Sequence, residues 1–251
     1  AVCWKKKIPA NQTVSKLVGF IDLTATIHHA FDIKNEAEYP ISGKSFLELL
    51  MENQKTTTPV HQQKIFAGRE RHSSSRYNTL GYPQRCIRTN QFLLVRNYKP
   101  ERWPAGPGQK NKKGPNSELG PKHNGYHDID ACPTLDYLIK GRSDSTISKY
   151  FHLAVSKRNY EQLFNIIEDP YCINDLVGKP EYKEKHKELA DQLTNYLVQT
   201  KDPRENGNGD IFETYPRYSS IRWFPTPNWA KDNPETIPPT PWLKTNLRIK
   251  K

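Results

Sequence analysis

Between Gly68 and Asn97 the chain reads GRERHSSSRYNTLGYPQRCIRTNQFLLVRN, which gathers Arg69, Arg71, His72, Arg76, Arg85 and Arg88 around one turn. Guanidinium groups held on a rigid backbone suit bidentate recognition of sulfate, phosphate or carboxylate. The apolar run Phe92-Leu93-Leu94-Val95 follows at once and supplies a strand to hold them. Arg69 and Arg71 flank His72, with pairing to Glu70 or another acid as the competing use. Arg85 and Arg88 are read as sharing one strand face, one of them structural with its stem packed across the sheet. Arg76 is the weaker member. His127, Asp128 and Asp130 spell H-D-I-D, superficially a metal set. The two acids share a face only if the segment is extended, so an exposed loop is the expectation. His28-His29 is read as helix packing. Trp103 beside Arg102 suits either stacking on a sugar or covering the core.

The elements that must position these groups follow from local pattern. Ala1-Val2-Cys3-Trp4 reads as an apolar strand and Lys5 to Asn11 as a turn. In Ile21 to Phe31, Leu23, Ile27, Ala30 and Phe31 fall at helical spacing, with Asp22 placed to cap. Gly43 to Met51 is a short amphipathic helix broken by Thr56-Thr57-Thr58-Pro59. Ile65-Phe66-Ala67 is a strand. Arg85 to Thr89 and Gln91 to Arg96 are two antiparallel strands around Thr89-Asn90. Tyr98 to Asp130 is a Pro/Gly/Lys-rich loop, with Lys110 to Gly114 exposed, and loops of this length are functional or disordered. Leu135 to Lys140 is short and apolar, and Tyr150 to Val155 fits a strand or a helix equally. Gln162 to Ile166 is a strand. The clearest helix is 180–200. Pro180 opens it, Glu181 and Glu184 suit its positive end, and Tyr182, His186, Leu189, Leu193, Tyr196 and Leu197 form one stripe. Asp202-Pro203-Arg204 stops it. Beyond it a Gly/Pro/Trp-rich tail is expected to wrap over the surface.

The 251 residues suffice for one large domain, or one and a half smaller ones. Only 35% are hydrophobic, but 13 Tyr, 9 Phe and 5 Trp bury much area per residue and make a modest core feasible. The net charge of +11 predicts a polyanionic partner. Cys3, Cys86, Cys132 and Cys172 form no C-x-x-C pair, which argues for separate free thiols in or near the core. No apolar run is long enough to cross a bilayer, and neither a signal peptide nor a membrane partner is expected.

Four stretches, in this order, resemble the C-terminal part of a type I sulfatase, with the sulfamidase (N-sulfoglucosamine sulfohydrolase)-like branch the nearest in pattern. They are Trp4 to Phe31, with Lys7-Ile8-Pro9 and Ile21-Asp22-Leu23-Thr24-Ala25-Thr26; Gly43-Lys44-Ser45 to Leu50, similar to the family's G-[RK]-S-x-x-x-L-L; Gly68 to Gly106; and Glu161 to Leu176 with the long helix and Thr200 to Arg204. The resemblance implies an alkaline-phosphatase-like α/β fold. Here it would comprise only the last strand–helix unit of the catalytic domain, residues 1–60, and a C-terminal α+β subdomain, residues 61–251. In that subdomain an antiparallel sheet would pack on the long helix.

The resemblance also implies hydrolysis of sulfate esters or sulfamates of a heparan-type glycan, in a periplasmic, secreted or lysosomal setting, with calcium and a formylglycine as cofactors. The formylglycine motif, Cys/Ser-x-Pro-x-Arg, surrounds none of the four cysteines and no serine, and the family's metal ligands belong to segments not found in this sequence. The expectation is therefore a chain inactive alone, with no catalytic or metal residue and a sulfatase N-terminal domain as partner. Its substrate-binding residues would be His72, Arg71, Arg69 and Arg85. The competing class is a basic polyanion-binding module without catalysis. Nucleic acid as its ligand is disfavoured, because no RNP, KH or zinc signature is present.

Overall fold

The computed structural model describes residues 1–35, 40–51, 62–70, 72, 75–76, 80–108 and 125–215. Arg71, Thr56 to Pro59, Lys110 to Gly114 and the chain after Tyr215 lie outside the described residues.

Four strands form one antiparallel sheet in sequential order: β1 (Lys64–Arg69), β2 (Gln84–Thr89), β3 (Phe92–Asn97) and β4 (Glu161–Asn165). The β2–β3 hairpin pairs Arg88 with Leu93, and the Thr89 hydroxyl accepts the Phe92 N–H at 2.9 Å to close the turn. The strand after the turn thus starts at Phe92, one residue later than the predicted Gln91.

A 3₁₀ turn at Pro180–Tyr182 leads into α5 (Lys183–Gln199), which packs on this sheet. Leu189, Leu193 and Leu197 meet Ile87, Leu94 and Leu163 in the main core, and all six are almost fully buried. At about 1.5–3 kcal/mol for each fully buried side chain, this apolar seam dominates the sheet–helix contact. Tyr196 of the same stripe stacks on Phe66 with ring centroids 3.7 Å apart. The predicted helix and its face agree with the structure.

A second, smaller core forms between α3 (Pro133–Lys140) and α4 (Ser148–Val155), where Leu135, Ile139, Phe151 and Val155 enclose Tyr126. Residues 148–155 are helical because Phe151 and Val155 then share one buried face, which the isolated apolar run did not decide. Cys132 caps α3, its sulfur accepting the Leu135 N–H at 3.4 Å. All four cysteines are free, and Cys3 is exposed, away from any core.

Three expectations for the N-terminal region need correction. Residues 1–4 form no strand and are largely exposed. Asp22 does not cap α1 (Ile21–Ala30) from outside; it is the second helical residue and is 1% exposed. Its Oδ1 accepts the Lys44 N–H and its Oδ2 accepts the Gly19 N–H and the Gln62 amide, each at 2.7 Å. Thr26, one turn on, accepts the Phe46 N–H at 3.1 Å. The polar side of α1 therefore holds the segment leading to α2 (Leu47–Met51), while Leu23, Ile27 and Phe31 face outward at 41%, 53% and 66% exposure. A Cβ on Gly43 would fall 2.1 Å from the Ile21 carbonyl oxygen, which is why this close approach takes glycine.

Candidate functional site

Sequence distance hides the strongest polar feature of the molecule, a set of arginines clamped by carboxylates from the far end of the chain. Arg85 is 7% exposed on β2. Its Nε donates to Asp202 Oδ2 at 2.7 Å, its Nη2 to Glu70 Oε1 at 2.6 Å and its Nη1 to the Gln84 carbonyl at 2.8 Å. Burial opposes its charge, but the bonds to Asp202 and Glu70 outweigh that and the pKa rises. Arg204 closes the ring on Glu70 Oε2 at 2.6 Å. Arg102 joins Glu213 at 2.6 Å, and Glu213 also accepts the Gly81 N–H. Residues 205–213, where the sequence suggested a surface tail, are thus latched onto the sheet by the buried pairs Arg96–Glu205 and Arg102–Glu213.

Arg85 and Arg88 do not share a face. Three residues apart on a strand puts them on opposite sides, and Arg88 is exposed where Arg85 is buried. Arg69 is exposed and donates to Gln84 Oε1 at 3.0 Å. A cleft of ≈ 410 Å³ is lined by Arg69, Arg85, Glu70, Asp202, Tyr196 and Phe212. The two arginines reach it together with two carboxylates, so the cleft carries its own counter-charges. His72 is not among the residues lining it.

His72 lies at a different constellation. Its ring is 64% exposed, and Nδ1 sits 2.7 Å from Asp128 Oδ1. Asp128 is not an exposed loop residue, since only 3% of its side chain is accessible. Its other oxygen, Oδ2, takes both terminal nitrogens of Arg76 at 3.1 Å. Arg76, 4% exposed, is spent on the interior. Its Nε donates to the Leu80 carbonyl, and Nη1 donates also to the carbonyls of Trp103 and Pro104. Burial lowers the Arg76 pKa, Asp128 pushes it back up, and Arg69 and Arg102 repel it. The H-D-I-D segment holds the positioning acid that sequence reasoning set aside; the signal available was an acid in the long loop, with no local pattern naming its partner.

Trp103 is 38% exposed, with the Lys157 ammonium 5.3 Å from its ring centroid. On α1, His29 Nδ1 lies 2.9 Å from the Ser45 hydroxyl.

Tyr82, near Arg76 and Arg158, is 1% exposed, and its hydroxyl has no partner among the described residues. Burial pushes its pKa up to about 12, against the smaller pull of Arg158 and Arg76. The folded group then ionises above the unfolded one, so its contribution is intact below about pH 10 and is lost as pH rises toward 12. Tyr82→Phe is expected to fold at neutral pH and to flatten this alkaline decline, read by urea unfolding at stepped pH. An unchanged decline would assign it to other tyrosines.

Among the described residues no three His, Cys, Asp or Glu side chains come together to hold a metal ion. Neither Asp128, which holds Arg76, nor the cysteine that caps α3 stands in a formylglycine or calcium setting. The described residues do not fit those groups.

No family model matches the chain, and no curated protein matches it. Solved structures overlay on part of it. One is of a 2-O GAG sulfatase, with 15% identity and a TM-score of 0.40, covering 74% of this chain and 26% of that one. Another is of a protein in complex with its substrate D-glucosamine-2-N,6-O-disulfate, at 18% identity and 0.40, covering 73% and 25%. A third is of a candidate sulfatase from Bacteroides thetaiotaomicron, at 15% identity and 0.41, covering 81% and 27%. The chain spans about a quarter of the length of these proteins. Overlaps of this size assign neither family nor activity.

Proposed function

We propose that this chain is the C-terminal part of a sulfatase of the sulfamidase-like type, contributing recognition of a sulfated, heparan-type glycan and inactive by itself. Residues 1–60 would belong to its α/β catalytic domain and residues 61–251 to the C-terminal subdomain. The carrying observation is that the stretches bearing the resemblance pair with one another. Glu70 in the third stretch binds Arg204 in the fourth, Arg85 binds Asp202, and Arg96 binds Glu161. The outward apolar side of α1 adds support, because Leu23, Ile27 and Phe31 would be covered by the rest of a catalytic domain. His72 and Arg69 remain the substrate-binding candidates, and Arg71, outside the described residues, stays a candidate from the sequence. Arg85 is given over to Glu70 and Asp202 and would shape the wall without touching the ligand.

Two measurements test this reading. The isolated chain should show no turnover of sulfated monosaccharides, and formylglycine-dependent turnover would refute it. In a salt titration, heparin should stay bound at concentrations that release duplex DNA of matched charge density. Equal release of both indicates counterion release alone and favours the non-catalytic polyanion-binding module.

A further inference from the structure

We infer that Asp128 fixes the tautomer of His72, so that the neutral ring offers a bare Nε2 and, in that form, reads a hydroxyl or N–H donor on its ligand, not a sulfate oxygen. A neutral imidazole has one N–H and one lone pair, and a carboxylate can only accept. At 2.7 Å the hydrogen between His72 Nδ1 and Asp128 Oδ1 must therefore sit on Nδ1. The acid cannot turn away to relax this demand. Arg76 grips Oδ2 with both terminal nitrogens, and Arg76 is itself anchored by the carbonyls of Leu80, Trp103 and Pro104. The backbone of Asp128 is tied as well, its N–H donating to the Ala105 carbonyl at 3.3 Å.

The His72 side chain is 64% accessible, and its Nε2 has no protein partner among the described residues. A lone pair there repels the oxygens of a sulfate, which carry no hydrogen, and accepts from an O–H or N–H. In a sulfated sugar the group that fits is a free hydroxyl or an amide N–H beside the sulfated position. Asp128 and Arg76 are positioning residues in this scheme and touch no ligand. The tautomer assignment stands on the geometry alone, while its use for a sugar rests on the glycan reading above.

Two-bond proton–nitrogen correlation spectra of the full chain, labelled at histidine, test both parts. His72 is identified by the signals lost in His72→Gln. At about pH 8.5, well above the ordinary imidazole range, Nε2 should resonate as a pyridine-type nitrogen and Nδ1 as a pyrrole-type one. This is the reverse of the form free histidine prefers in water, and finding the free-solution form overturns the proposal. In folded Asp128→Asn the preference should be lost, because the amide can donate as well as accept; an unchanged pattern removes Asp128 from the role. Should that variant not fold, the parent spectrum alone decides. Adding a heparin-derived oligosaccharide should shift Nε2, and inorganic sulfate at equal sulfate concentration should not. An equal shift with sulfate overturns the hydroxyl assignment. No shift with either refutes the sugar contact, and with it the glycan reading at His72, while the tautomer result stands separately.

Discussion

Arg96→Ala is expected to destabilise the chain by about 3–5 kcal/mol, the range for removing one partner of a buried ion pair and stranding the other. Arg96 is 5% exposed on β3 and joins four parts of the molecule at one guanidinium. Its Nε donates to Glu161 of β4 at 2.8 Å and its Nη1 to the Thr194 hydroxyl of α5 at 2.9 Å, while Nη1 also binds Glu205 and Nη2 the Ala190 carbonyl. Burial alone would depress its charge, yet the surrounding carboxylates lift its pKa above the ordinary guanidinium value. Without it, Glu161 and Glu205, at 13% and 17% side-chain exposure, lose their shared cation; His186 Nε2 still reaches Glu161 at 2.7 Å, but Tyr98, which donates to Glu205, is left on an unbalanced acid. Arg96→Lys should recover only part of the loss, since an ammonium cannot span the fork of acceptors. The measurement is the urea unfolding midpoint. As a contrast, Lys187→Ala removes an exposed ion pair to Asp191 on α5 and should shift the midpoint little. If Arg96→Ala shifted it no more than Lys187→Ala, the latch would be dispensable.

Gly106→Ala is expected to cost about 1–3 kcal/mol and to disorganise the His72 cradle. Gly106 has φ +77°, and an added Cβ would stand 2.4 Å from the Ser75 carbonyl oxygen. Ser75 is buried and adjoins Arg76, and the turn at Trp103–Gly106 supplies the carbonyls that hold both Arg76 and the backbone of Asp128. A clash with backbone has no flexible side chain to absorb it, so the turn must move and carry the acid with it. Gly178→Ala is the proper reference. Its φ is +87°, but nothing lies within 4 Å of the new methyl, so only the conformational cost of about 1 kcal/mol applies. Larger loss in Gly106→Ala, with displaced His72 ring signals, is the expected result. Equal loss and unmoved His72 signals would show that the 75–106 contact does not hold the site.

Elements whose physics is local were legible in the chain. The α5 stripe repeats at helical period, and Leu189, Leu193 and Leu197 are buried together as that period demands. The β2–β3 hairpin follows from two short runs flanking a polar turn. In α1 the same rule located the helix and misjudged its inward face. Apolar spacing pointed to Leu23 and Ile27, but the buried groups are Asp22 and Thr26, because two polar side chains could satisfy the backbone of residues 43–46. Burial of a polar residue depends on whether a partner arrives, and the partner lies 20 or more positions away.

The cluster around His72 divides in the same way. From the chain alone came the arginine-rich turn, the strands that carry it, the long helix behind it and an overall charge suited to a polyanion. Those rest on composition and short-range period, which a linear sequence displays directly. The tertiary structure decided which of the cations are free. Arg76, Arg85, Arg96, Arg102 and Arg204 are matched by acids, several of them a hundred or more residues distant, while Arg69 is exposed and the His72 side chain is 64% accessible. Identical guanidinium groups differ only in the carboxylate that folding brings to them. That pairing arises when strand, helix and latch close together, so it is a property of the folded chain and not of any segment in it.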